Sequence, residues 1–403
     1  MKSKLINVIG LGYVGLPTAL LMSKNYKVIG TDKNERVIQA LNNGKYVFNE
    51  QDLQEYYHSS LKCGIEFTTE YKKADIYIIA VPTPFIEETK KIDPKYLLTA
   101  LNEIKKVCPE NAIIVIESTI APGTIDKYVK PLFLDKKVKI CHAPERVLPG
   151  NIIKELKNNS RTIGSDEVSV SEEIKKIYQS FCNGEIISTD ICTAEISKVI
   201  ENTYRDINIA YANELKKICT NIGLDTHEVI RIANFHPRVN ILNPGPGVGG
   251  HCISVDPWFL VGEDNENTLL IQQARNVNDS MPNYIWEKMQ QMINEQENGQ
   301  KNVVGLYGLT YKPNVDDTRE SPALQLYEQL NKQERRETLF FDPLVSTKVV
   351  ENQMDDFDQF LDSIDVLLIF TPHDHIKKHC INVIQKNVQI FDTSNTFKQA
   401  VQL

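Results

Sequence analysis

The sequence predicts an α/β fold in which two parallel sheets flank a helical middle. Three observations lead there. Over the first 185 residues, short apolar runs alternate with amphipathic stretches, as βαβ units require. From 193 to 222 one helical pattern runs without proline. The last hundred residues then repeat the beginning weakly: NVVGLYG at 302–308 echoes NVIGLG at 7–12, DVLLIFTP at 365–372 echoes DIYIIAVP at 75–82, and DTS at 392–394 echoes EST at 117–119.

Each element has a local reason. Leu5–Ile9, Lys27–Thr31, 76–81, 112–117 and 137–141 are apolar runs of strand length. Lys2 and Lys4 before the apolar stretch to Met22 have the outline of a signal peptide, but a strand, a glycine turn and a helix explain the same residues better. GLGYVG at 10–15 follows the first strand and opens a helix, and Asp32 ends the second strand 17 residues on. Gly10 permits the tight turn, Gly12 lets a pyrophosphate approach the backbone, and Gly15 lets helix and strand pack closely. The helix N-terminus offers free N–H groups to phosphate. Asp32 suits the ribose hydroxyls and repels a 2′-phosphate, so NAD is favoured over NADP. The alternative is a glycine-rich turn in an ordinary α/β domain. Gly223 is a plausible C-terminal cap for the long helix. Shorter helical patterns continue to about Ile293, and polar residues 294–302 read as a linker. The expected domains are a Rossmann-like NAD-binding domain at 1–190, a central helical region at 191–300 and a second Rossmann-like domain at 301–403.

Length and composition narrow the function. At roughly 150 residues per domain, 403 residues suggest two or three domains. Lys and Arg total 45 against 53 for Asp and Glu, a net charge of −8 that argues against general nucleic-acid or anionic-membrane binding. A local basic cluster can still hold a small anion. No apolar run is long enough for membrane insertion. The eight Cys are scattered without a CxxC pair, which argues against a zinc ribbon and for a reducing, cytoplasmic setting. His373, Asp374, His375 and His379 raise a metal site; a loop and an exposed helix after a strand explain them better, and no metal is expected.

Two segments carry chemistry of their own. NPGPGVGGHCISVDP at 243–257 places four Gly and two Pro before Cys252, with Asp256 four residues on. Such a loop exposes a thiol and brings backbone close to a ligand; Cys252 is either a nucleophile or a structural Cys. If a helical turn begins at Cys252, it shares a face with Asp256. In the long helix Glu195, Lys198, Asn202 and Arg205 form one polar stripe opposite Ile196, Val199, Ile200 and Ile207. The stripe is either a solvated face or, in a helix central to the chain, the lining of a cleft.

These segments resemble the UDP-glucose/GDP-mannose dehydrogenase family end to end. The matching residues are 10–15, VPTP at 81–84, EST at 117–119, PER at 144–146, AEISKVIEN at 194–202, GGHC at 249–252 with Asp256, and YKP at 311–313 running to DTRESP at 317–322. The resemblance implies a four-electron oxidation of a UDP-sugar C6 alcohol to a carboxylate. Cys252 would hold the aldehyde as a thiohemiacetal and then a thioester. Lys198 and Asn202 would stabilise the oxyanions. Asp256 and Glu145 would share proton transfer, and Thr119 would hold a water. Arg146, Val147, Lys198, Asn202, Arg205, His236, Arg238, Gly249, Tyr311 and Lys312 resemble substrate-contacting positions. Gly10, Gly12, Tyr13, Val14, Gly15, Asp32, Thr83, Thr119 and Arg319 fall at NAD-contacting ones. Family members often carry a basic residue five positions after the ribose acid; here Val37 stands there, and the adjacent Arg36 would point elsewhere on a helix. Within the family, PERVLPG at 144–150 and HPRVN at 236–240 resemble the branch acting on UDP-N-acetyl-D-mannosamine, with the UDP-N-acetyl-D-glucosamine branch as alternative. The resemblance further implies a homodimer packed through the central helices, with residues near Arg238 reaching the neighbouring site, and a role in surface polysaccharide synthesis.

Overall fold

The computed structural model describes residues 4–46, 48, 50, 52–296, 302–386, 388–397 and 400–403. The chain forms two compact units, Met1–Glu201 with Trp258–Asn265, and Asn202–Pro257 with Glu266–Leu403.

The first unit is built on eight strands: β1 (Leu5–Ile9), β2 (Lys27–Thr31), β3 (Glu66–Thr68), β4 (Ile76–Ile79), β5 (Ile113–Ile116), β6 (Lys139–His142), β7 (Arg161–Gly164) and β8 (Ile186–Thr189). Their order is β3-β2-β1-β4-β5-β6-β7-β8. The five expected strands are present, trimmed or shifted by a residue or two where 76–81, 112–117 and 137–141 were expected. β3, β7 and β8 were not anticipated. β3 has three residues, β8 is half exposed, and β7 reads RTIG, so none shows as an apolar run. Pairing is parallel except at β6–β7, which meet antiparallel at His142 and Gly164. The helix Gly15–Met22 is buried on every side, which is why its sequence lacks an amphipathic rhythm. Trp258–Asn265 belongs with this unit through Lys90, whose Nζ lies 4.2 Å from the Trp258 ring, and through Gly262, where a Cβ would meet the Lys90 carbonyl at 2.4 Å.

The second unit carries six parallel strands: β9 (Val304–Tyr307), β10 (Thr338–Phe341), β11 (Gln353–Met354), β12 (Val366–Ile369), β13 (Gln389–Asp392) and β14 (Val401–Gln402). Their order is β11-β10-β9-β12-β13-β14, with an apolar cluster on each face. The echo between chain ends is therefore structural, although its register needs correcting. Gly305 lies inside β9, and Gly308, at the strand end with φ +95°, takes the place that Gly10 has after β1.

The long helix spans Ile191–Ile222. Gly223 closes it at φ +72°, and the Leu224 N–H reaches the Cys219 carbonyl at 2.9 Å. The boundary between the two units falls within this helix, after Glu201. The expected linker at 294–302 starts too early, because a helix covers Leu269–Gln296; residues 297–301 lie outside those described. In the second unit a buried network ties the two helices together. Asp206 accepts from Arg275 at 2.6 Å and Asn278 at 2.8 Å, and Asn213 donates to Asn278 at 2.9 Å.

Candidate functional site

In the first unit the glycine turn has the shape a dinucleotide needs. Gly10 adopts φ +88°, its N–H bonds the Thr31 carbonyl at 2.8 Å, and a Cβ there would lie 2.3 Å from the Ala80 oxygen. A Cβ on Gly15 would lie 1.8 Å from the Gly10 oxygen. At Gly12 a Cβ would meet nothing within 4 Å, which leaves open room directly over the backbone. Asp32 is aimed by main chain: Oδ2 accepts from Leu11 N–H and Oδ1 from Asn34 N–H, each at 2.8 Å. It remains partly exposed. The Tyr13 ring, beside Val14 at the helix start, stacks on Phe48 at 4.3 Å. Val37 packs against the core and Arg36 is exposed. The open cradle and the aimed acid fit NAD.

Two loops that follow β4 and β5 are fastened together. Thr83 donates to the Thr119 carbonyl at 2.6 Å, and Ser118 to the Val81 carbonyl at 2.7 Å. The far end of the second loop hangs on Glu195, which accepts from Gly123 N–H at 2.6 Å and Ile125 N–H at 2.9 Å. Burial pushes the Glu195 carboxyl up to about 7, against the pull of those two bonds. Below Thr119 in the chain, Glu117 is wholly buried and pairs with Arg161 at 2.7 Å, and Arg161 in turn lies 4.1 Å from the Tyr178 ring centre.

Glu145 is buried and accepts from Val147 N–H at 2.5 Å. The Arg146 guanidinium is engaged by protein groups: both Glu201 oxygens, the Ser160 carbonyl at 2.9 Å and the Thr162 hydroxyl at 3.1 Å. It therefore holds its loop to the long helix.

In the second unit the glycine loop leads into the helix Asp256–Glu263. The Asp256 N–H bonds the Cys252 carbonyl at 2.8 Å, so a helical turn does begin at Cys252. Asn202 donates to Asp256 Oδ2 at 2.6 Å, and both are buried. Cys252 itself is half-buried. A Cβ on Gly249 would lie 2.3 Å from the Glu320 carbonyl, and one on Gly250 would press on the Tyr311 ring at 2.9 Å, so only glycine lets this loop lie against the 311–320 segment. There Arg319 grips Asp317 through Nε at 2.9 Å and through Nη2. His251 keeps an exposed surface, yet desolvation by the surrounding loop, with Arg319 beside it, lowers it to about 4, so the ring next to Cys252 is neutral at pH 7.

The polar stripe of the long helix is not a solvated face. Glu195, Lys198 and Asn202 are buried and Arg205 is half-buried, whereas Ile196 and Ile200 are 40% and 48% exposed. Residues 236–240, with His236 and Arg238, are exposed in the isolated chain. His373 lies, as expected, in the loop between β12 and the helix Asp374–Lys378, but it is 1% exposed and bonds Asp342 at 3.0 Å. The sequence contained a signal for Asp342, which follows β10 as Asp32 follows β2. Arg161 and His251 carried none, since their partners Glu117 and Arg319 are distant in the chain.

Residues 4–182 match the NAD binding domain of the UDP-glucose/GDP-mannose dehydrogenase family, 192–280 its central domain and 305–399 its UDP binding domain. The chain is 44% identical to a UDP-N-acetyl-D-mannosamine dehydrogenase of Methanocaldococcus jannaschii, over 97% of this chain and 92% of that one. It is 37% identical to an NDP-N-acetyl-D-galactosaminuronic acid dehydrogenase of Ralstonia nicotianae, over 96% and 94%. Among solved structures, the UDP-N-acetyl-mannosamine dehydrogenase of Staphylococcus aureus superposes with a TM-score of 0.87 at 40% identity, covering 98% of this chain and 96% of that one. Among the described residues no helix is long and apolar enough to cross a membrane.

Proposed function

The chain belongs to the UDP-glucose/GDP-mannose dehydrogenase family, and on that premise we propose that it oxidises UDP-N-acetyl-D-mannosamine at C6 to the mannosaminuronate. The balance is one alcohol, one water and two NAD+ to one carboxylate, two NADH and three protons. NAD, when bound, takes up the hydride released in each oxidation. The observation that carries the reading is the turn from Cys252 to Asp256, with Asp256 tied to Asn202 at 2.6 Å. Cys252 Sγ adds to the C6 aldehyde to give a thiohemiacetal, whose oxidation leaves a thioester that water cleaves. Asp256 orients the Asn202 amide, which together with Lys198 donates to the oxyanions. Asp256 and Glu145 move protons, with Thr119 holding a water. Tyr311, Lys312, Arg205, Gly249 and the backbone at Arg146 and Val147 hold the sugar nucleotide. Gly10, Gly12, Gly15, Tyr13, Val14, Asp32, Thr83 and Arg319 serve NAD.

The working form is a homodimer, and the reaction is cytoplasmic and serves surface polysaccharide synthesis. Supporting the dimer, Ile196, Ile200, Tyr204, Tyr211, Ile218 and Ile222 form an exposed row along one helix, with Tyr204 65% and Ile222 64% exposed. A soluble monomer rarely leaves so continuous an apolar row uncovered. His236 and Arg238, exposed beyond the helix Thr226–Ala233, would serve a partner's site. Tyr211→Glu should shift the protein to monomer in light scattering; an unchanged mass removes this face from the interface.

NADH is measured with UDP-N-acetyl-D-mannosamine, UDP-N-acetyl-D-glucosamine, UDP-N-acetyl-D-galactosamine and UDP-glucose in parallel, free of epimerase. Two NADH per mannosamine substrate, with little from the others, is expected. Preference for another sugar keeps the chemistry and overturns the substrate. Cys252→Ala should abolish steady uronate formation while NAD still binds; undiminished turnover removes Cys252 from the mechanism.

A further inference from the structure

The turn after β9 carries Tyr311 and Lys312, and its main chain is held at an unusual number of points. Leu309 N–H and Thr310 N–H donate to Asp342 Oδ2 at 2.7 and 3.2 Å. The Thr310 carbonyl accepts from the Thr371 hydroxyl at 2.6 Å, and Tyr311 N–H donates to the Asp317 carbonyl at 3.0 Å. The Lys312 carbonyl accepts from the Thr310 hydroxyl at 3.1 Å, and Asn314 N–H donates to His373 Nδ1 at 2.9 Å.

These bonds fix the His373 tautomer. Nδ1 is an acceptor, so the ring proton is on Nε2, where it faces Asp342 Oδ2 at 3.0 Å and Thr310 Oγ1 at 3.2 Å. Thr310 can accept there because its own proton goes to Lys312. The chain of bonds thus has one direction, from Asn314 N–H through the imidazole to the Asp342 carboxylate, with Thr310 passing the hold on to Lys312. All of Thr310, Asp342 and His373 are buried. Burial alone would raise the Asp342 carboxyl, but the hydrogen bond from His373 and those from the Leu344 and Leu309 N–H groups outweigh it and hold the acid ionised.

We propose that His373, Asp342 and Thr310 are positioning residues that set the sugar-nucleotide affinity by fixing the main chain under Tyr311 and Lys312. The inference rests on the reading of Lys312 as a substrate contact. Nothing in this cluster touches the reacting carbon, so its loss weakens ground state and transition state alike, and appears in KM and not in kcat.

The test is a kinetic cycle on the full-length enzyme. His373→Gln keeps a donor toward Asp342 but loses the acceptor for Asn314 N–H. Thr310→Val and Thr371→Val are near-isosteric and remove one hydroxyl each. Each is expected to raise the KM for the sugar nucleotide by about tenfold, with kcat within about twofold and the KM for NAD unchanged. Lys312→Ala is made alone and with His373→Gln. Added to Lys312→Ala, His373→Gln should cost less than about twofold more, because its effect passes through that residue. Should His373→Gln fail to fold, the two valine variants and the Thr310→Val, Lys312→Ala cycle carry the same expectation. If Lys312→Ala raises KM while His373→Gln and the valine variants do not, the positioning role is wrong and the substrate contact stands. Additive effects in the cycle also overturn it. If Lys312→Ala leaves KM unchanged, the contact itself is wrong and both readings fall.

Discussion

Gly10 and Gly308 hold the same place in their two sheets. Each ends a first strand at positive φ, and each N–H bonds the last residue of the second strand, at 2.8 and 2.9 Å. The next N–H, of Leu11 or Leu309, reaches the acid beyond that strand at 2.8 or 2.7 Å. At the strand beginnings the match persists: Leu5 N–H to Asp75 and Val303 N–H to Asp365 are both 2.9 Å. The sequences then part. GLGYVG in the first sheet faces GLTYKP in the second, so Thr310 stands for Gly12 and Pro313 for Gly15. In the first sheet a helix starts at Gly15, and in the second the next helix starts only at Pro322. Asp32 keeps room for a ribose, whereas Asp342 is 5% exposed and already takes His373. On the roles proposed for Gly12 and Lys312, one strand frame would support two ways of meeting a phosphate: backbone amides at a helix end in the first sheet, and the Lys312 side chain on a clamped turn in the second.

The comparison breaks most visibly at the two acids. Asp342→Ala leaves three buried donors, Leu309 N–H, Thr310 N–H and His373 Nε2, without their acceptor and should cost about 3–5 kcal/mol of second-unit stability in a denaturant melt. Asp32→Ala, partly exposed, should leave the melt nearly unchanged. Equal losses would mean that Asp32 is structural too. In binding the order reverses: Asp32→Ala should weaken NAD by about 10- to 100-fold with sugar-nucleotide affinity intact, as titration calorimetry would show. Loss of both ligands together would point to misfolding.

A pH series sharpens the contrast further. Full burial lowers His142 in the first unit to about 3, and desolvation beside Arg319 lowers the more exposed His251 in the second to about 4. Both folded values lie below the ordinary 6.5. Their stabilising share is thus complete above 6.5 and is lost as pH falls toward the folded values, by about 2 kcal/mol at pH 5 for the wholly buried His142 and by much less for His251, which solvent reaches. His142→Gln should flatten the acid slope of the first unit alone and His251→Gln that of the second; a slope unchanged by either assigns acid lability elsewhere. The smallest effect is at Gly12. Because a Cβ there meets no protein atom, Gly12→Ala should fold normally and raise the KM for NAD by about tenfold. A stability loss instead would show that the space above Gly12 is not reserved for a ligand.

Much of this contrast was legible in the sequence, because it is local. GLGYVG after an apolar run, Asp32 at the end of the next run, and Cys252 four residues before Asp256 are short-range patterns with fixed geometric meaning. The strands that were missed, β3, β7 and β8, are short or carry polar residues, so periodicity had too little to count. The helical stripe stayed undecided for another reason. Periodicity gives which residues share a face, but which face is covered depends on distant partners. Glu195 is buried because Gly123 and Ile125 N–H groups need it, and Ile200 is exposed on the opposite side. The burial of His373 was hidden likewise, since only the fold brings Asp342 to it.

The Thr310 hydroxyl has a consequence for how readily the two halves could exchange roles. To give the second sheet a dinucleotide cradle, Thr310 would have to become Gly, but that change alone removes the hold on the Lys312 carbonyl and strips His373 of one acceptor. Freeing Asp342 for a ribose would require removing His373, which leaves Asn314 N–H unbonded. Restoring a helix end at Pro313 would require deleting the segment that carries Asp317 and Arg319. Each single step is downhill in stability before any ligand is gained, so the divergence acts as a ratchet that point mutation does not easily reverse.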